Sequence, residues 1–181
     1  MLRSRRRSTS ALWALCFACS PLVVGCASKI TAPPAPPVAV RLGDAAFEAG
    51  DYERAIRDYR LYLSDVDRGE FTARAFYKAA LASYRLEDYA GTLATLDELA
   101  LRYPGGNWVQ VDALRGDALR ELGRPQDAVL AWDAAWRNAN DIERPKIRAR
   151  IAGVIAGLDY AALRELRGDV RSRGVRSLVG N

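Results

Sequence analysis

The chain has 181 residues, with 27 Lys and Arg against 22 Asp and Glu, three cysteines and no histidine. The missing histidine removes the commonest general base and the commonest metal ligand, and no glycine-rich phosphate loop or nucleophile–base spacing is present. Catalysis, a metal, a cofactor and a small-molecule substrate are therefore not expected. The formal charge of +5 does not point to nucleic acid either, because Arg3, Arg5, Arg6 and Arg7 lie in the first 25 positions, which hold no acid. The remainder is close to neutral, at 23 basic against 22 acidic side chains, too balanced for an electrostatic footprint on nucleic acid.

The first element is an apolar run from Ala11 to Val24 that follows the arginines. It is too short for a membrane span, which needs about 20 residues, and has the length of a signal-peptide core. It closes on Val23-Val24-Gly25-Cys26, which resembles a bacterial lipobox. The resemblance implies removal of residues 1–25, acylation of the Cys26 thiol and a stable two-lipid anchor. Cleavage by the ordinary signal peptidase near Ala18 and Ser20 is the alternative. Ala27, rather than aspartate, follows the cysteine, which in that family implies the outer membrane of a Gram-negative envelope, facing the periplasm. Cys16 and Cys19 fall inside the apolar run, so the processed chain would have no thiol left for a disulfide. Residues 26–37 form a tether: four of the five residues 33–37 are proline, which favours an extended polyproline II course.

From Val38 to Leu166 apolar residues recur at spacings of three and four, and strict alternation is absent, so the domain is expected to be all-α. Breakers at Gly50-Asp51, Glu87-Asp88 and Gly123-Arg124-Pro125 separate pairs of helical runs. The three turns reveal an internal repeat. A tiny residue precedes each (Gly43, Ala80, Gly116), a small one follows (Ala55, Thr92, Ala128), and then a large one (Tyr59, Leu96, Trp132). Small side chains let two helices approach, and the large ones are expected to fill toward the next hairpin. The pattern resembles the tetratricopeptide repeat, a helix–turn–helix unit of 34 residues. It implies a solenoid of about three repeats, at residues 36–69, 73–106 and 109–142. A generic antiparallel helical bundle is the rival fold. The third repeat has Asp112 where a large aromatic is expected and Arg115 where leucine is. An alternative phase faces Val111, Leu114, Ala118 and Leu122 inward.

Beyond the repeats, Ile147, Ile151, Val154, Ile155 and Leu158 make one apolar stripe, expected to cap the open end of the solenoid within residues 144–166. Asp159 is placed to cap a short further helix to Leu166. Residues 167–181 carry Gly168, Gly174 and Gly180 and are expected to be a flexible basic tail, either solvated or touching anionic lipid. Trp132 is expected in the core, Trp136 under the cap and Trp108 partly exposed. The acidic pairs Asp97-Glu98 and Asp65/Asp67 read as solvated faces, since sequence neighbours on a helix do not face one another.

In tetratricopeptide solenoids the first helix of each repeat lines a concave, partner-binding side. Carried onto this chain, the resemblance places Asp44, Phe47 and Glu48, then Arg74, Tyr77, Lys78, Leu81, Tyr84 and Arg85, then Asp117, Arg120 and Glu121 on that side. The residues expected to form the partner groove are Phe47, Tyr77, Lys78, Tyr84, Arg85, Asp117 and Arg120. The alternative is that the tyrosines only fill between repeats. Two lipoprotein families sharpen the resemblance. Gly50-Asp51-Tyr52 and Arg102-Tyr103-Pro104-Gly105-Gly106 are similar to the tetratricopeptide subunit of the β-barrel assembly machine. The stretch from Phe47 to Leu166, ending in Gly157-Leu158-Asp159-Tyr160, is similar to the N-terminal domain of penicillin-binding-protein activators. Both imply a non-catalytic adaptor for an envelope protein, held to the membrane by its lipid. A peptidoglycan-binding module is the alternative.

Overall fold

The computed structural model describes residues 35–106 and 108–172. The lipobox Val23-Val24-Gly25, the acylation candidate Cys26, most of the tether and the end of the basic tail lie outside them. The described residues form eight helices and no strand: α1 (Val38–Glu48), α2 (Tyr52–Asp65), α3 (Thr72–Arg85), α4 (Tyr89–Arg102), α5 (Val109–Glu121), α6 (Pro125–Asn138), α7 (Arg144–Ile155) and α8 (Tyr160–Ser172). Three hairpins, α1–α2, α3–α4 and α5–α6, stack in chain order, and α7 lies against α6.

The three hairpin turns share one backbone solution. Gly50, Glu87 and Gly123 each adopt a left-handed conformation, with φ of 79°, 60° and 71°. In each turn that residue donates its N–H three residues back, to Phe47, Tyr84 and Arg120. The next residue donates five back, to Ala46, Ser83 and Leu119. These bonds satisfy the orphan carbonyls at the end of the first helix. Glycine adopts this conformation without strain; Glu87 does so against the Cβ penalty. The second helix then starts on an acid: Asp51 accepts from the Arg54 N–H at 3.1 Å and Asp88 from the Gly91 N–H at 2.8 Å. The third hairpin uses Pro125 in the first helical turn instead.

The tiny and large residues of the repeat meet inside one hairpin. A Cβ added to Gly43 would lie 2.8 Å from the Tyr59 ring, and one added to Gly116 would lie closer still to the Trp132 ring. Tyr59, Leu96 and Trp132 are all fully buried. In the first and third hairpins the flat rings of Tyr59 and Trp132 lie on the bare backbone of the preceding helix. In the middle hairpin the Thr92 hydroxyl donates to the Ala80 carbonyl at 3.3 Å.

The same contact fixes the register of the third hairpin. Gly116 sits on Trp132 as Gly43 sits on Tyr59, so the repeat keeps its phase. Val111, Leu114 and Ala118 are buried, but Leu122, assigned inward by the alternative phase, is 41 % exposed. Asp112, at the position of the expected aromatic, is half-buried, and burial raises its carboxyl above the usual range against the pull of Arg115 and Arg137.

α7 buries Ile147 and Ile151 and half-buries Val154 and Ile155, and Leu158 in the turn that follows is half-buried too, as the apolar stripe requires. Asp159 accepts from the Ala162 N–H at 2.8 Å and starts α8. That helix does not stop at Leu166. Residues 167–172, expected as flexible tail, are helical. A single Gly168 costs a helix only about 1 kcal/mol, and Leu166 is fully buried against the core. Gly153, inside α7, meets nothing within 4 Å of an added Cβ. Gly153→Ala is therefore expected to raise the melting temperature, by an amount corresponding to about 0.5–1 kcal/mol.

Candidate functional site

The first helices α3, α5 and α7 share one side of the stack and leave a groove of about 430 Å³ between them. From α3 come Tyr77, Leu81, Tyr84 and Arg85. The middle of the groove is Val109, Gln110, Ala113 and Asp117 of α5, and α7 supplies Ile147, Lys146 and Arg150. A second hollow of about 400 Å³ shares Tyr77, Val109, Gln110 and Glu143 with it and reaches Arg74 and Trp108. The two are continuous across the starts of these helices.

Asp117 organises the centre. One oxygen accepts from the Trp132 indole N–H at 3.2 Å, and the other pairs with Arg150 at 3.2 Å. Burial raises its carboxyl above the usual range, while Arg150 and the indole pull it back. The Tyr77 phenol is raised chiefly by burial and then by the Asp117 charge, and Tyr84 responds in the same way. Both phenols are therefore uncharged at neutral pH and can donate hydrogen bonds. The Tyr84 ring is braced edge-on by Tyr89, with centroids 5.3 Å apart.

The same device occurs at the other end of the stack. Asp44 follows Gly43 as Asp117 follows Gly116. It accepts from the Tyr59 phenol at 2.7 Å and pairs with Arg74 at 2.5 Å. Each Gly-Asp dipeptide thus seats an aromatic on its glycine, satisfies that aromatic's polar atom with its aspartate, and ties the unit to an arginine on the first helix that follows. The middle hairpin has Leu81 and Leu96 at these positions and no such clasp. There the inner side stays apolar and open.

Four of the seven expected groove residues line this groove: Tyr77, Tyr84, Arg85 and Asp117. The other three are engaged elsewhere. The Lys78 ammonium lies 4.4 Å over the Phe47 ring, which also packs edge-on against Tyr52. Arg120 pairs with Glu121 at 2.5 Å and lies over the Trp132 ring. Sequence reasoning missed Val109, Gln110, Lys146 and Arg150. The α7 stripe pointed to a cap, and its polar side gave no sign of forming a wall.

The tryptophans fall as expected: Trp132 is buried, Trp108 is half-buried against Tyr103, and Trp136 is half-buried beneath Arg144. Asp97 and Glu98, read as a solvated face, pair with Arg115 and Arg102 respectively. Arg102 also donates to the Leu63 carbonyl at 3.2 Å, tying the end of α4 to the end of α2. Among the described residues no group of three or more potential metal ligands converges, and no helix is long and apolar enough to cross a membrane.

One buried acid lies outside the groove. Asp133 on α6 is 3 % exposed, and burial raises its carboxyl although Arg137 lies 3.3 Å away. A raised carboxyl binds its proton more tightly in the folded chain, so its ionisation costs stability at neutral pH, and that cost fades as pH falls through the raised value. Asp133→Asn should therefore compare most favourably with the parent at pH 7–8 and progressively less well toward pH 4. Urea unfolding of both proteins across that range measures the difference.

Residues 74–106 match the tetratricopeptide repeat family. No curated protein matches the chain in sequence. Solved structures do. PcrH in complex with the chaperone binding region of PopD is similar with a TM-score of 0.59 at 18 % identity, over 67 % of this chain and 91 % of that one. The yeast Sti1 TPR2B domain in its pHsp70 complex gives 0.57 at 18 % identity, over 66 % and 95 %. The first such domain of human RPAP3 gives 0.53 at 18 % identity, over 67 % and 95 %. At this identity the likeness concerns the fold. Repeated hairpins with one turn geometry, a repeat match over α3 and α4, and these neighbours together make the described residues a helical solenoid of tetratricopeptide type.

Proposed function

We propose that this chain is a non-catalytic adaptor that holds a segment of a partner envelope protein in the α3–α5–α7 groove. The observation that carries the reading is the open inner side of the middle hairpin, where Tyr77, Leu81 and Tyr84 stand half-buried with no clasp over them. Tyrosine and arginine around a partly apolar hollow are the side chains that anchor interfaces. PcrH and Sti1 are each described in complex with a partner segment, and a like use of this solenoid follows the same physics of a helix-lined groove. The adaptor is placed on the periplasmic side of the outer membrane, anchored by lipid on Cys26, because Val23-Val24-Gly25-Cys26 closes a signal-like apolar run and Ala27 follows.

Crosslinking in intact cells, followed by purification from membranes, tests the adaptor role. Tyr84→Ala should abolish partner recovery with an unchanged melting curve; recovery at the parental level would refute the groove. Recovery of β-barrel assembly subunits would assign the adaptor to outer-membrane assembly, and recovery of penicillin-binding proteins to cell-wall synthesis. Cys26→Ser should release the protein from membranes, and a variant still membrane-bound at the same processed size would refute the anchor.

A further inference from the structure

We infer, on the reading that this groove takes a partner segment, that the segment is acidic and amphipathic, with a bulky apolar side chain between Tyr77 and Tyr84 and carboxylates on Arg85 and Lys146. The two hollows are lined by four cationic side chains, Arg74, Arg85, Lys146 and Arg150, against two acids, Asp117 and Glu143. The clasps remove part of that charge from play. Arg74 is held by Asp44 at 2.5 Å, and Arg150 by Asp117 at 3.2 Å, whose other oxygen is taken by the Trp132 indole. Arg85 and Lys146 have no such partner among the described residues. Both are exposed, and they stand on opposite walls of the groove, one on α3 and one on α7.

Between these two cations the floor is half-buried and apolar, built from Leu81, Val109 and Ala113 with the two tyrosine rings. Tyr77 and Tyr84 keep their protons at neutral pH, so the walls add donors and no negative charge. Glu143 is the single acid not engaged in a clasp, and it lies in the part of the groove shared with the Trp108 hollow. An acidic segment meets complementary charge at Arg85 and Lys146 and an apolar seat between them. A basic segment would bring like charges together there, which disfavours it.

Fluorescence anisotropy on the full chain in detergent tests this with three labelled peptides. They share one Leu-Phe anchor and carry flanking glutamates, glutamines or lysines. The glutamate peptide should bind about tenfold or more tighter than the glutamine peptide at low salt, the gap should narrow as salt screens it, and the lysine peptide should bind weakest. Arg85→Gln combined with Lys146→Gln should reduce the preference of glutamate over glutamine to about twofold or less, with the glutamate peptide losing the most affinity. Circular dichroism melts would exclude misfolding of that variant. Equal binding of the glutamate and glutamine peptides, with Tyr84→Ala still weakening both, would overturn the acidic segment and leave the groove standing. Indifference of all three peptides to Tyr84→Ala would overturn both. Purified sacculi that pelleted the chain through Arg85 and Lys146, with no peptide bound, would assign these cations to the cell wall and overturn the peptide.

Discussion

Trp132→Ala is expected to lower the unfolding free energy by about 3–5 kcal/mol, the range for removing a large aromatic from a core that cannot collapse around the gap. Trp132 is fully buried at the second of the two Gly-Asp clasps. Its ring covers the Gly116 backbone, and its indole N–H reaches the Ala113 carbonyl and Asp117, both at 3.2 Å. Truncation leaves a void between α5 and α6. It also strips Asp117 of its neutral donor, which raises the demand on Arg150. Trp132→Phe separates the two effects: it fills most of the space and supplies no N–H. Urea unfolding should place it between the parent and Trp132→Ala. A Trp132→Ala loss below about 1 kcal/mol would mean that the ring is not the keystone of the third hairpin.

Gly116→Leu is expected to destabilise the same contact from the opposite direction. A single Cβ there would already overlap the Trp132 ring, closer than any real contact. Relief requires α5 to move off α6 or the indole to leave its pocket, and overpacking of this kind costs about 1–3 kcal/mol or more. Helix propensity acts in favour of leucine by close to 1 kcal/mol, so a net loss isolates the steric term. The two substitutions should couple. Adding Trp132→Ala to Gly116→Leu lets the leucine enter the vacated space, and the combined loss should fall short of the sum by about 1 kcal/mol or more. Strict additivity would show that the two residues do not share one volume.

These substitutions act on a contact that the internal repeat already makes partly visible. The spacing from Gly43 to Tyr59 and from Gly116 to Trp132 stands in the sequence, as do the turns at Gly50, Glu87 and Gly123. Such features are local. A left-handed turn residue, an aspartate at a helix start and an apolar period of 3.6 each act within a few positions, so the chain displays them in order. The site was less legible for the same reason. Tyr77, Tyr84, Arg85 and Asp117 followed from the repeat, but whether a charged side chain faces a ligand depends on who else is near. Lys78 and Phe47 satisfy one another, Arg120 turns to Glu121, and Arg74 turns to Asp44. No spacing rule distinguishes these from Arg85.

By itself the sequence determined the all-helical repeat, the hairpin turns and the start of α8, because each depends on nearest neighbours along the chain, and the repeat spacing marked Trp132 for the core. Tertiary structure decided the rest. It set the large rings on the glycines of their own hairpins, made α7 a wall of the groove as well as a cap, and carried α8 to Ser172 once Leu166 found a buried seat. Each of those outcomes depends on packing partners far apart in sequence, and the free energy that settles them exists only after the helices have met.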